Sequence, residues 1–213
     1  DRDQPADPEL GIGQPGALTL VEGAHACALL PGGGYAEYAA VPAALLVPSP
    51  RGGGFADAAA WPEAAFTVFL NVFIEAGMQA GENLPVPGGA SGGGTLASPM
   101  AQEYRGAGHA TAGRLELGAD LALDRHAGDF EEALGARGLG ADVVLDMVGR
   151  AYFAANLRLL RPGGRLVFIA TLSGGEVELD LRTLMAKRLR LIGSTLRARP
   201  AAEKVAVKRA IWR

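Results

Sequence analysis

Residues 88–95 read Gly88-Gly89-Ala90-Ser91-Gly92-Gly93-Gly94-Thr95. They follow a short apolar run containing Leu84 and Val86 and precede a segment of helical character. A strand ending in such a turn brings bare backbone N–H groups to a helix N-terminus, where the peptide dipoles favour an anion such as a phosphate. Side chains would hold the anion away, so glycine is the residue type this chemistry requires. Taken alone, the turn reads better as an empty loop, and only the ordered segments that follow it favour the phosphate reading. Three prolines also disturb its setting. Pro85 and Pro87 fall where a central strand should run, and each removes an N–H. Pro99 falls inside the helix that should follow, at a cost of about 3 kcal/mol.

Few other residues combine into a reactive arrangement. His25, His109 and His126 have no ligand spacing to other His, Cys or acidic residues, and read as surface or loop histidines. Asp146 ends an apolar run and resembles a strand-borne acid, but is read as structural. Glu131-Glu132 is a solvated helix face, because nothing nearby opposes it as a second catalytic carboxylate. No local signature of a Ser-His-Asp or Cys-His arrangement occurs. The single cysteine, Cys27, excludes an internal disulfide and a cysteine-based zinc cluster.

The elements that must position the glycine turn follow from periodicity and breakers. Pro62 fits the first position of a helix, with Glu63 in its first turn. Phe66, Phe69, Leu70, Phe73 and Ile74 then recur at helical spacing until Gly77, which can end the helix. Residues 142–148 (DVVLDMV) form a buried-strand run. Tyr152, Phe153, Leu157 and Leu160 mark a helix that stops at Pro162-Gly163-Gly164. Leu166 to Ile169 is another strand, residues 181–189 are helical, and Leu191-Ile192-Gly193 begins a last strand. Strand, helix and strand in alternation imply a parallel sheet with right-handed crossovers. Before residue 58 the pattern changes to short strands, expected within residues 22–30, over residues 36–41 (AEYAAV) and over residues 45–47. Residues 196–213 read as a helical tail.

Composition sets bounds on partners. With 20 basic and 23 acidic residues the net charge is −3, which gives no electrostatic footprint for nucleic acid. No apolar run reaches the length of a transmembrane helix, and Asp1 to Glu9 is not a signal peptide, so a cytoplasmic protein with no membrane partner is expected. Hydrophobic residues make up 49% of the 213, enough for a sizeable core.

Several strings, in order, resemble one family. LPGGGYAEYAAVP (Leu30–Pro42), PEAAFTVFLNVFIEAG (Pro62–Gly77), GGASGGGT (Gly88–Thr95) and ELGAD (Glu116–Asp120) are similar to zinc-free, NADPH-dependent quinone oxidoreductases of the medium-chain dehydrogenase/reductase superfamily. So are DVVLDMVG (Asp142–Gly149), NLRLLRPGGRLVFIA (Asn156–Ala170) and GSTLRARP (Gly193–Pro200). The resemblance covers most of residues 28–208.

The resemblance implies an α/β fold: a Rossmann-like doubly wound parallel sheet plus a partial GroES-like β-barrel. Residues 1–57 correspond to a remnant of the barrel, 58–195 to the nucleotide-binding domain, and 196–213 to the start of the return into the barrel. It implies NADPH as cofactor, hydride transfer to a quinone-like small molecule or an activated alkene, no metal, and a homodimer if the chain is complete. The cofactor-binding positions it marks are Thr67, Ser91, Gly92, Gly93, Gly94, Gly113, Arg114, Arg125, Val148, Gly149, Ala170, Thr171 and Leu172. Departures accompany these matches. The family's early segment, with an Asn and a Tyr lining the quinone pocket, has no match, so no catalytic residue is assigned. Thr111-Ala112-Gly113 runs directly into Arg114 where the family has a Ser for the 2′-phosphate. An arginine fork can neutralise that phosphate. Arg125 stands where the family often has a cofactor-side Tyr. Arg197 and Arg199 read as a basic edge near the cofactor or a solvated segment. Two alternatives stay open: a truncated, non-enzymatic relative keeping only fold remnants, and an enoyl-thioester reductase.

Overall fold

The structure, a computed structural model, describes residues 23–50, 52, 54–87, 91–103 and 130–212, together with the backbone of short strands at 12–13, 17–18, 107–111 and 121–122. The chain forms two compact units, residues 1–66 with 196–213, and residues 67–195.

In the first unit β1 (Ile12–Gly13) pairs antiparallel with β2 (Ala17–Leu18), and β3 (Ala26–Ala28) with β4 (Leu46–Pro48). No barrel closes among the described residues. The strand expected over residues 36–41 does not form: residues 36–40 are exposed bend and irregular backbone, with Tyr35 and Tyr38 in solvent. β-propensity there finds no partner ladder and no apolar cover, and without these nothing offsets the entropy of ordering a strand. This unit also holds the carboxy-terminal helix, residues 201–211, whose Lys208 Nζ donates to the Leu46 carbonyl at 3.1 Å. Trp212 packs edge-on against Trp61 at 4.8 Å between ring centroids.

The helix expected to begin at Pro62 begins a full two turns earlier, as α1 (Phe55–Val68). The Gly54 N–H donates to Asp57 Oδ2 at 2.9 Å, half of a capping box, and Ala58, Ala59 and Ala60 propagate the helix. Pro62 therefore lies in its interior. The boundary between the two units falls near the end of α1. A π-helical segment, Phe69–Glu75, follows, and Gly77 at φ 63° ends it in the left-handed region that glycine favours.

The second unit carries the α/β architecture. β5 (Asn83–Pro87), β6 (Ala107–Thr111) and β7 (Leu121–Ala122) are parallel in the order β5-β6-β7. β8 (Ala141–Asp146), β9 (Leu160–Phe168) and β10 (Arg190–Gly193) are parallel in the order β10-β9-β8. β5 and β8 lie side by side, with Asn83 Nδ2 donating to the Gly140 carbonyl at 3.2 Å where both strands begin. The six strands thus stand in the order β7-β6-β5-β8-β9-β10, the doubly wound Rossmann arrangement with its reversal between β5 and β8. The helices of this unit are α2 (Gly92–Glu103), α3 (Phe130–Gly135), α4 (Arg150–Leu159) and α5 (Leu181–Lys187). The terminal helix described above is α6.

The two prolines that disfavour a strand are in β5 and buried. Along a parallel strand, alternate residues point their amides to the same neighbour. The Asn83 N–H points at β8, donating to Asp142 Oδ2 at 2.8 Å. Pro85 and Pro87, two and four residues on, face the same way. The amides of Leu84 and Val86 are left to serve β6, and that pairing is intact. The prolines remove the ladder on one side only, and packing of Leu84 and Val86 with Val143, Leu145 and Val167 closes the seam. Pro99 is tolerated for a related reason: it lies on the exposed side of α2.

One buried cation ties these parts together. Arg165 on β9 is 9% exposed. Its Nε donates to the Ala76 carbonyl at 2.9 Å and its Nη2 to the Gly77 carbonyl at 3.2 Å, at the end of the π-helical segment. Its two Nη atoms reach the Glu82 carboxylate at 2.9 and 2.6 Å, just before β5. Lys187 acts similarly at the end of α4, where its Nζ donates to the carbonyls of Leu157, Arg158 and Leu160. Burial alone would raise the Glu82 pKa, but hydrogen bonds from the Arg165 side chain and the Gln79 amide, with the Arg165 charge, hold it below its usual 4.5.

Arg165→Met removes the cation facing Glu82 and the donor to the Ala76 carbonyl, leaving Glu82 and Gly77 only their bonds from Gln79, so a loss of about 3–5 kcal/mol in unfolding free energy is expected by urea denaturation. The Glu82 contribution is present above its ordinary pKa and disappears as pH falls through the lowered one. Stability measured from pH 6 down to pH 3 should therefore fall less steeply in Glu82→Gln than in the wild type, and equal slopes would refute the pairing.

Candidate functional site

The carboxyl ends of β8 and β9 each run into a turn, and five of the sequence-marked residues fall in those turns, while four more stand at the start of α2. After β5, α2 starts at Gly92 with Ser91 before it. Ser91 Oγ accepts the Gly94 N–H at 3.1 Å and the Ser91 carbonyl accepts the Thr95 N–H at 2.9 Å, so Ser91 is the N-cap. The amides of Gly92 and Gly93 precede the first intrahelical bond and point off the helix end. Apart from its chain neighbours and the helix's own backbone, no atom of the described residues lies within 4 Å of where a Gly93 Cβ would be. A twelve-residue helix with glycine at its open end fits a pyrophosphate in both shape and dipole.

After β8, the chain folds back over its own carboxylate. Asp146 is fully buried. Its Oδ1 accepts the Val148 N–H at 2.6 Å and the Gly149 N–H at 3.1 Å, while its Oδ2 accepts Asn156 Nδ2 at 3.0 Å from α4. Burial pushes the Asp146 carboxyl above its ordinary 3.8, against the lowering effect of the bonds from Gly149, Val148 and Asn156.

After β9, residues 170–175 pack onto the β8 turn. The Leu172 N–H donates to the Met147 carbonyl at 3.2 Å, and the Ser173 N–H and Oγ both donate to the Val148 carbonyl, at 2.8 and 2.7 Å. Ser173 Oγ also accepts the Ala151 N–H at 2.9 Å, in the first turn of α4. Gly149, at φ 83°, admits this approach: a Cβ there would stand 2.7 Å from the Gly174 carbonyl oxygen and 3.2 Å from Thr171 Cα.

Of the sequence-marked positions, Val148, Gly149, Ala170, Thr171 and Leu172 are therefore in one pair of interlocked turns, with Thr171 and Leu172 exposed. Ser91, Gly92, Gly93 and Gly94 form the start of α2. Thr67 lies at the end of α1, half-buried, and its carbonyl accepts Asn71 Nδ2 at 2.8 Å. Gly113, Arg114 and Arg125 lie outside the described residues, as do Gly88 to Ala90 and His126. Asp146 and Ser173 are the site residues that sequence reasoning left out. The spacing Asp146-x-Val148-Gly149 carried the signal, because an Asp side chain commonly accepts the amides two and three residues on. Glu131 is not a free solvated acid: it pairs with Arg158 at 2.6 Å. His25 packs edge-on against Phe55 at 4.8 Å between centroids. Arg199 pairs with Glu203 at 3.0 Å. Among the described residues no group of three or more His, Cys, Asp or Glu side chains gathers as metal ligands, and no helix is long and apolar enough to cross a membrane.

Known proteins share this arrangement. Residues 109–211 match the family model described as zinc-binding dehydrogenase. The quinone oxidoreductase of Mus musculus is 30% identical over 176 residues, 77% of this chain and 52% of that protein. The 2-methylene-furan-3-one reductase of Solanum lycopersicum is 36% identical over 145 residues, 64% of this chain and 36% of that protein. Among solved structures, the quinone oxidoreductase from Thermus thermophilus, described also in complex with NADPH, aligns with a TM-score of 0.76 at 30% identity over 91% of this chain and 64% of that one. This chain belongs to the medium-chain dehydrogenase/reductase superfamily. It spans about half the length of the mouse relative.

The two site glycines are expected to behave oppositely. Gly149→Ala forces a Cβ against backbone at positive φ and should cost about 1–3 kcal/mol by chemical denaturation. Gly93→Ala meets open space and favours the helix, so its stability should match or exceed the wild type by up to about 1 kcal/mol.

Proposed function

We propose that the parallel-sheet unit binds NADPH and that the protein is an oxidoreductase passing hydride from it to a quinone or another activated alkene. The observation that carries this reading is the open glycine N-terminus of α2, standing across the strand-order reversal from the Val148–Gly149 turn. Ligands of doubly wound sheets bind at such a reversal, outside the carboxyl ends of the strands. In this reading Ser91 to Gly94 take the pyrophosphate, and Val148, Gly149, Ala170, Thr171 and Leu172 form the wall for the nicotinamide. Thr67 lies on the cofactor side, and Arg125 lies against the adenine. Arg114 neutralises the 2′-phosphate, as its position directly after Thr111-Ala112-Gly113 suggests.

When bound, NADPH supplies the hydride, and the acceptor takes its balancing proton from solvent or a neighbouring acid. The protein's part is to hold the two reactants at reacting distance in a site that excludes water. The reading needs no zinc: the chain has one cysteine, and the Cys27 thiol, pushed up in pKa by burial, faces the Pro48 carbonyl. The names of the mouse, tomato and Thermus relatives support a reductase that acts on quinones or conjugated alkenes. The absence of a transmembrane-length helix among the described residues is consistent with a small-molecule acceptor met in solution.

Titration calorimetry tests the reading. NADPH should release heat with the wild type, and Gly93→Ala, which leaves the fold intact, should weaken binding about tenfold by crowding the amides. No binding at millimolar NADPH would overturn it. Cofactor choice is a separate measurement. NADPH should bind more tightly than NADH, and Arg114→Ala should abolish the difference, whereas equal affinities in the wild type would remove Arg114 from the site.

A further inference from the structure

We propose that Asp146 is a positioning residue for the nicotinamide end of the cofactor: its carboxylate, gripped by Asn156, fixes the Val148–Gly149 turn from behind. This rests on the NADPH reading above and adds a role that neither the strand pattern nor the glycine turn supplies.

Several observations converge on it. The Asp146 carboxylate is fully buried, and among the described residues no cationic side chain pairs with it. A buried carboxylate without a cation is costly and is retained only where other donors occupy it. Its donors are the two amides of the turn and one side-chain amide from α4. Removing the acceptor would leave the Gly149 N–H buried without a partner and free the turn to rotate. The turn's other face is fastened by Ser173, which bonds the Val148 carbonyl and the Ala151 amide together. Asp146 and Ser173 thus hold one peptide segment from opposite sides, and Val148 and Gly149 are the residues placed against the nicotinamide. Neither clamp is aimed at the glycine end of α2.

Asn156 makes the arrangement testable. It is fully buried, and its Oδ1 has no hydrogen-bond partner among the described residues. In Asp146→Asn the substituted side chain keeps an oxygen for the two turn amides. Its new NH2 group then meets Asn156, whose side chain can turn its unpartnered Oδ1 to accept. Asp146→Asn is therefore conservative for the turn, although it removes the charge. Asp146→Leu has a similar size and no acceptor.

The experiment compares NADPH with 2′,5′-ADP, which carries the adenosine phosphates but no nicotinamide, by titration calorimetry on the full chain. Amide hydrogen exchange at Val148 and Gly149 is followed in parallel. In Asp146→Leu, NADPH affinity should fall about tenfold, equivalent to about 1.4 kcal/mol, while 2′,5′-ADP binds as in the wild type and the two turn amides exchange faster. Asp146→Asn should restore both the affinity ratio and the slow exchange. If Asp146→Leu weakens both ligands equally or neither, or if Asp146→Asn fails as badly as Asp146→Leu, the positioning role is overturned. Should Asp146→Leu not fold, Ser173→Ala loosens the turn from its other face, and an unchanged ratio of the two affinities in that variant overturns the proposal. Failure of 2′,5′-ADP to bind the wild type refutes instead the NADPH reading on which it stands.

Discussion

The second unit depends on satisfying backbone carbonyls where a helix ends inside protein. The π-helical segment stops at Ala76 and Gly77, whose carbonyls have no further helical turn to receive. The Gly77 carbonyl accepts Gln79 Nε2 at 2.7 Å. Ala76 is buried, so a donor for its carbonyl comes from within the fold. Arg165 supplies it with a planar fork that covers both carbonyls and still reaches Glu82. The consequence is positional. Glu82 precedes β5 directly, so the grip that ends the helix also registers β5 beside β8 and β9. Once β5 is placed, its carboxyl end aims the glycine turn, and α2 follows. Salt bridges at the surface add little to a fold. This one stands apart because it finishes a helix, starts a strand and neutralises its own buried charge in one cluster.

The two ends of the candidate site are built on different principles. The start of α2 is open: glycine residues, an N-cap serine and space above Gly93. The β8 and β9 turns are closed, with every approach filled by backbone at Gly149, and their polar groups bonded to one another. An open helix end suits a charged group that must be met by bare amides. A rigid, exposed wall at Thr171 and Leu172 suits a flat ring that must be held by shape. This division agrees with a ligand having an anionic middle and an aromatic end.

Much of this was legible in the chain. Apolar runs at residues 142–146 and 166–168, and glycines at the turns, mark strands and their ends because a strand buried on both faces has little choice of residue. The helix read over residues 181–189 and the last strand read from Leu191 form as Leu181–Lys187 and Arg190–Gly193. What escaped prediction depended on partners distant in sequence. The stretch at residues 36–41 has strand-forming residues, but a strand is made by its neighbour, and among the described residues none pairs with it. Pro62 looks like a helix start until Gly54 and Asp57 are seen to cap an earlier one. The Arg165–Glu82 grip spans 83 positions, and no local pattern announces it. Asp146 was visible as a strand end, yet its occupation by Val148, Gly149 and Asn156 depends on α4 returning to the same point. Pro85 and Pro87, expected to disturb a central strand, lie within β5, and the fold confines the loss of their N–H groups to the single edge they face.

That edge gives the sheet an unequal grain. Within β7-β6-β5 and within β8-β9-β10 the strands are bonded backbone to backbone, and neither triplet shears without breaking hydrogen bonds. Between β5 and β8, Asn83 bonds Asp142 and Gly140 at the starting end, and farther along Leu84 and Val86 pack with Val143 and Leu145. Dispersion contacts resist separation but offer little resistance to a small slide. The seam between the two halves is therefore tied by polar bonds at Asn83 and by apolar packing beyond it. The glycine helix stands on one half and the Asp146 turn on the other. A molecule long enough to touch both would act as the missing rung, lending the sheet across its open end the cross-link that its own prolines withhold.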